Sequence, residues 1–151
     1  MQGLGDLDSL YREIILDHHR SPRNNEPLAS PDVEVEAVNP FCGDEVKVQL
    51  KAVDSTVGDI SVTGHGCSIS QSSASLMGEV VKGKSLEDAL KVRRLFQSLM
   101  KGEELSDEQM TAIGDLEALR GVRKYPVRIK CALLAWSALE DALKRLERRG
   151  A

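Results

Sequence analysis

A chain of 151 residues is long enough to bury one core but short for two domains of typical size, so it predicts one domain over residues 1–151. Hydrophobic residues make up 41% and aromatic residues only 3%, which indicates a soluble protein with an aliphatic core. The net charge of −4 argues against nucleic-acid binding, since phosphate contacts need a basic surface. With no basic leader and no long apolar run, we expect neither a signal peptide nor a membrane span, and a cytoplasmic location.

In the first half of the chain, the apolar residues first repeat with a helical period and then alternate with a period of two. The stretch "LDSLYREIILDHH", residues 7–19, repeats apolar side chains along one face and predicts an amphipathic helix. A connection rich in proline and asparagine follows. Apolar residues then alternate over residues 33–37, 46–50 and 60–62, with turn residues between them, and the glycines of "GHGC" interrupt the third run. This pattern predicts three short antiparallel strands.

The second half of the chain is predicted to be helical. Helical spacing resumes after residue 67, and Gly83 fits a helix terminator. Ser85 and Ser106 each precede an Asp or Gln by three residues, which is typical of a helix N-cap. The last predicted helix covers residues 127–149 and carries an apolar stripe. The fold class is therefore α+β, with a three-stranded antiparallel sheet packed against about five helices.

Three cysteines at positions 42, 67 and 131 are an odd number and do not suit a secreted disulfide framework. Cys42 lies in a turn before a strand, Cys67 in a glycine-rich turn before a helix, and Cys131 near the start of the last helix. Positions at the ends of elements allow three thiols to converge. A helix N-terminus also lowers the pKa of a thiol, which favours metal binding or attack on sulfur at Cys67 and Cys131.

Asp44 follows Cys42 by two residues, and in extended backbone that spacing points both side chains to the same side. Three thiolates and one carboxylate make four ligands, which suits tetrahedral Zn²⁺, or iron where thiolates dominate. The spacing fits no generic zinc motif, so three unrelated thiols remain the alternative on the residues alone.

Three cysteine-centred motifs carry a family resemblance: "NPFCGDEVKVQL", "GHGCSISQSSASLM" and "RIKCALLAW". With "LYREIILDHHRSPRN" in the first helix, they resemble the iron-sulfur cluster assembly scaffold family related to IscU and the NifU N-terminal domain, and most closely its SufU branch. The resemblance implies a SufE/NifU-like fold. It also implies that the metal ligands are Cys42, Asp44, Cys67 and Cys131.

Two departures from the IscU pattern separate the branches. Lys130 stands where IscU-type members have a histidine, and the helical stretch from Arg93 to Val122 resembles the SufU insertion. The resemblance therefore implies a zinc-dependent acceptor of persulfide sulfur from a SufS-type cysteine desulfurase, working with downstream iron-sulfur assembly proteins rather than as a stand-alone enzyme. It further implies that a side chain of the docked desulfurase replaces Cys42 on the zinc and frees Cys42 as the acceptor. A [2Fe-2S] scaffold and a purely structural zinc site remain the alternatives.

Four further residues have weaker indications. Arg128 resembles a branch-typical arginine that steers the persulfide or the partner, and a solvated surface arginine is the alternative. His65 has the chemistry of a metal ligand, although the family pattern does not require it. His18 and His19 end the first helix, where a protonated histidine complements the helix dipole, so we expect surface or structural roles for them.

Overall fold

The computed structural model describes residues 2–40 and 43–149, with side chains from Ser9 onward. Three strands follow the first helix, and the remaining helices follow the strands. The elements are α1 (Gln2–Arg20), β1 (Val33–Asn39), β2 (Asp44–Val53), β3 (Thr56–His65), α2 (Ser68–Val81), α3 (Leu86–Met100), α4 (Asp107–Ile113), a 3₁₀ segment (Gly114–Lys124) and α5 (Pro126–Arg148).

The three strands form one antiparallel sheet in the order β1-β2-β3, which confirms the predicted fold class. Val48 at the middle of β2 pairs with Val35 on one side and Val62 on the other. The two-residue turn between β2 and β3 places Asp54 and Ser55 at φ angles of 50° and 63°. Positive φ at both positions is the type I′ geometry, whose twist matches that of the flanking strands.

The third strand is longer than the sequence pattern predicted. Gly64 and His65 stay paired with Val46 and Glu45 of β2, so the glycine does not end the strand. A Cβ atom at position 64 would overlap the carbonyl oxygen of Glu45. Glycine is therefore needed here because the two backbones approach closely, and the strand continues up to the turn that carries Cys67.

Helices α2 and α5 contact each other, α2 packs on β3, and α5 packs on β1 and β2. Val48 and Leu50 are fully buried on the sheet, as the alternating pattern predicted. Trp136 of α5 and Phe96 of α3 lie with ring centroids 5.1 Å apart, and aliphatic side chains fill most of the core around them. No helix in the described part of the chain is long and apolar enough to cross a membrane.

Both predicted serine N-caps are present. The hydroxyl of Ser85 accepts a hydrogen bond from the backbone N–H of Asp88, and Ser106 forms a complete capping box with Gln109. The 3₁₀ segment was not predicted. It runs for 11 residues, longer than is usual for this type of helix, and it buries Leu116 and Leu119.

His18 is buried, so of the two roles expected for it the structural one applies, without the charge expected at a helix end. Its side chain is 6% exposed, and its Nδ1 atom lies 2.7 Å from the Ser75 hydroxyl, which also accepts the backbone N–H of Arg23 at 2.8 Å. Burial, followed by the positive charge of Arg23, lowers the pKa of His18 below its ordinary value of 6.5. The ring is therefore held in its neutral form.

This buried histidine predicts a specific dependence of stability on pH. Because the pKa is lower in the folded state, the unfolded chain takes up the proton first, and His18 contributes stability that is lost as the pH falls below 6.5. We expect the free energy of unfolding, measured by urea denaturation, to fall less between about pH 7 and 5.5 in His18→Gln than in the native protein. The carboxyls with lowered pKa values, Asp17 and Glu140, lose their contribution at lower pH.

His19 provides the matched control, since it is the neighbouring histidine and its side chain is exposed. We expect His19→Gln to keep the pH dependence of the native protein. If the free energy of unfolding fell equally between about pH 7 and 5.5 in the native protein and in His18→Gln, the buried, neutral state of His18 would be contradicted.

Candidate metal centre

Asp44 is the first residue of β2 and is fully buried. It pairs in the sheet with Asn39, the last residue of β1. Its carboxylate oxygen Oδ1 accepts the backbone N–H of Cys67 at 2.8 Å. A buried carboxylate is costly without compensating partners, and this hydrogen bond offsets part of that cost.

Cys67 occupies the N-cap of α2, where the sequence placed it. Its backbone is extended, with φ −71° and ψ 166°, and its Sγ atom accepts the N–H of Ser70 at 3.5 Å. Gly66 precedes it with φ 154°, and a side chain there would overlap the carboxylate of Asp44.

Cys131 does not lie at the end of an element, which corrects the prediction. Helix α5 begins at Pro126, a residue whose fixed φ suits the first helical position, so Cys131 falls in the second turn. Its side chain is 2% exposed, and its Sγ atom lies 3.7 Å from the carbonyl oxygen of Val127 and 4.0 Å from Nδ2 of Asn39. Cys67 therefore lies at a helix N-terminus, as predicted, and Cys131 does not.

The fold nevertheless brings three of the four predicted ligands together. Ligand atoms of Asp44, Cys67 and Cys131 all lie within 4.8 Å of one another, and the Cys67 sulfur is 3.6 Å from Asp44 Oδ2. A sulfur and an oxygen bound to one tetrahedral zinc ion lie roughly 3.5 Å apart. The donor set and its spacing thus fit a zinc ion. Cys42 lies outside the described residues.

A buried serine ties the two cysteine-bearing helices together. Ser73 of α2 is fully buried, and its hydroxyl donates to the carbonyl oxygen of Ala132 at 2.6 Å and accepts the indole N–H of Trp136 at 3.1 Å. Ala132 directly follows Cys131, so this bridge fixes α5 against the helix that begins after Cys67. This role was not predicted, although a serine within the apolar face of α2 was the available signal.

The two further candidates lie outside this cluster. His65 is exposed, and its Nε2 atom lies 3.1 Å from a carboxylate oxygen of Glu45, its partner across the strands. Arg128 is exposed in the first turn of α5 and lines a surface groove with Tyr11 and Arg12 of α1. Neither residue belongs to the group of potential ligands found among the described residues.

The comparison with protein families identifies the family of this chain. A family model described as the NifU-like N terminal domain matches residues 10–132, most of the chain. The chain belongs to this family. This confirms the predicted resemblance to the scaffold family related to IscU and the NifU N-terminal domain. We refer to the chain as this NifU-like domain.

Relatives of this NifU-like domain include a protein named as a sulfurtransferase and a protein named as a cluster scaffold. It is 44% identical over 142 residues to a protein of Bacillus subtilis (strain 168) named zinc-dependent sulfurtransferase SufU, covering 94% of this chain and 95% of the relative. It is 38% identical over 142 residues to a protein of Streptococcus pyogenes serotype M1 named iron-sulfur cluster assembly scaffold protein IscU, covering 94% and 87%.

A solved structure supports the same assignment for the fold of this NifU-like domain. The putative iron-sulfur cluster assembly scaffold protein for the SUF system from Fervidobacterium islandicum AW-1 aligns with a TM-score of 0.81 and 32% identity. The alignment covers 87% of this chain and 94% of that protein.

Proposed function

We propose that this NifU-like domain is a zinc-dependent sulfur acceptor in iron-sulfur cluster assembly, taking persulfide sulfur from a SufS-type cysteine desulfurase and passing it to downstream assembly proteins. The observation that carries the proposal is the cluster of Asp44, Cys67 and Cys131, in which Asp44 and Cys131 are buried and Cys67 is partly exposed. The name of the Bacillus subtilis relative supports it. We place the protein in the cytoplasm, where free thiols persist in reduced form.

Asp44, Cys67 and Cys131 would hold the zinc ion together with Cys42. Two sulfurs and one carboxylate oxygen at mutual distances within 4.8 Å are ligand types that zinc accepts, and the burial of Asp44 favours a cation beside it. When bound, Zn²⁺ keeps its cysteine ligands deprotonated and offsets the charge of the buried carboxylate.

Cys42 is the proposed acceptor of sulfur. Its thiolate attacks the terminal sulfur of the cysteine persulfide on the desulfurase. A new S–S bond forms at Cys42, the S–S bond of the donor breaks, and the donor cysteine leaves as a thiolate. The step needs no oxidant or reductant. Cys131 is a poorer acceptor because it is 2% exposed.

Replacement of Cys42 tests this assignment. With purified cysteine desulfurase and free cysteine, we expect the native protein to raise the rate of alanine release, and Cys42→Ala to lose nearly all of this stimulation because the acceptor thiol is gone. Alanine release and zinc content are measured on the same preparations. Full stimulation by Cys42→Ala would show that another group accepts the sulfur.

The same preparations separate the alternatives. A colourless protein with one tightly bound zinc supports the acceptor, whereas a brown protein with a labile cluster supports the [2Fe-2S] scaffold that the name of the Streptococcus relative suggests. If the zinc only maintains the fold, Cys42→Ala lowers the melting temperature without a selective loss of sulfur transfer.

A further inference from the structure

A surface groove of about 490 Å³ lies beside the cysteine cluster. Its walls are α1, the first turn of α2, the end of the 3₁₀ segment and the first turn of α5, and we call it the basic groove. Ser68 and Ile69 contribute to its wall and directly follow Cys67 in the chain. A molecule seated in the basic groove is therefore adjacent to the candidate metal centre.

The charge of the basic groove is opposite to that of the whole chain. Arg12, Lys124 and Arg128 line it, and none of the described residues that line it is an aspartate or a glutamate. The chain as a whole carries a formal net charge of −4. Three cations around one concave surface in an acidic protein favour an anionic occupant and increase its rate of encounter.

The basic groove also exposes apolar side chains. Tyr125 is 62% exposed and Leu16 is 36% exposed, and both line the groove. Val127, two residues beyond Tyr125, is 65% exposed. Exposed apolar residues bordered by charged ones mark protein contact surfaces, and tyrosine and arginine are the residue types that contribute most at such surfaces.

We propose that the basic groove docks an acidic segment of the sulfur-donating desulfurase, with an apolar side chain of that segment against Leu16 and Tyr125. This inference rests on the proposed function. The positive charge of the basic groove favours an acidic segment. The exposed apolar side chains of the groove favour an apolar side chain on that segment. Docking at this position brings the donor to the cysteine cluster without using any of its ligands.

The test reverses two charges of the groove and leaves Arg128 unchanged. We expect Arg12→Glu combined with Lys124→Glu to raise the concentration required for half-maximal stimulation of purified desulfurase about tenfold at low salt. The maximal rate is expected to stay the same, because the cysteine cluster is intact. The matched control combines Lys91→Glu with Arg148→Glu, which makes the same change of net charge at exposed positions outside the groove.

The outcomes separate the docking surface from the function. Equal half-maximal concentrations for the groove variant and the control would overturn the proposed docking in the basic groove, while the proposed sulfur transfer would stand. A native protein that does not stimulate the desulfurase would overturn the proposed function and, with it, the groove.

A photo-crosslinking residue at Leu16 gives a second readout that does not depend on the stability of the charge variant. We expect it to capture a segment of the purified desulfurase rich in aspartate and glutamate, and the same residue at Lys91 to capture none. Capture at Lys91 and not at Leu16 would contradict the proposal.

Discussion

Replacing Gly66 with alanine is expected to abolish tight zinc binding and to lower the free energy of unfolding by about 2–4 kcal/mol. The added Cβ would overlap Asp44 Oδ1 and lie 2.7 Å from Asp44 Cγ, and the φ of 154° is unfavourable for alanine. The carboxylate must then leave the N–H of Cys67, from which it accepts a hydrogen bond. Zinc content after dialysis and urea denaturation measure the two effects.

Gly83 is the control for the backbone part of this effect. Its φ is 86°, and an added Cβ would meet no atom within 4 Å. Gly83→Ala is therefore expected to cost roughly 1 kcal/mol from backbone strain alone and to retain zinc. If Gly66→Ala retained zinc as well as Gly83→Ala does, Asp44 would not be a ligand held in place by this close contact.

Replacing Ser73 with alanine is expected to lower the free energy of unfolding by about 2 kcal/mol, because the buried indole N–H of Trp136 loses its acceptor. The contact from Ser73 to Ala132 is lost at the same time, so α5 is less firmly fixed and zinc affinity is expected to fall. Urea denaturation and competition with a chelator measure these losses. Trp136 is the only tryptophan of the chain, so its fluorescence also reports the change.

Ser72 is the matched control, since it is equally buried on the same helix but its hydroxyl donates to the carbonyl of Ile69 within α2. Ser72→Ala is expected to leave zinc affinity unchanged. In a double-mutant cycle, Ser73→Ala should cost less when Trp136→Phe has already removed the indole donor. Additive costs, or equal zinc affinities for the two serine variants, would rule out the bridge between the helices.

Local patterns were enough to predict most of the fold. The alternation of Val46, Val48 and Leu50 predicts a strand buried on one face, and Ser85 and Ser106 predict the helix starts that the structure shows. These signals depend on residues close together in the chain, so no knowledge of the tertiary fold is needed to interpret them.

Features that depend on contacts between distant segments could not be predicted in this way. The glycines of "GHGC" wrongly indicated a break in the third strand. Gly64 is required because the carbonyl of Glu45 approaches closely, and local sequence patterns do not contain this contact between strands. The start of α5 at Pro126 was available from the sequence, since proline is common at a first helical position, and it would have placed Cys131 inside the helix.

The residues alone predicted the candidate site only as one of two alternatives, and the family resemblance selected it. Asp44 and Cys67 are 23 residues apart, and the pairing of β1 with β2 and the packing of α2 on α5 bring them to Cys131. The spacing of the residues along the chain does not predict these contacts. The motifs around each cysteine supplied the ligand set, and the structure places the described members of that set together.

The most direct test of the account is the position of the transferred sulfur. The protein is incubated with cysteine desulfurase and free cysteine, its thiols are alkylated, and its peptides are analysed by mass spectrometry. We predict one additional sulfur atom on the peptide that contains Cys42 and no additional sulfur on Cys67 or Cys131. An additional sulfur on Cys67 or Cys131 with Cys42 unchanged, or no persulfide on any cysteine, would contradict it.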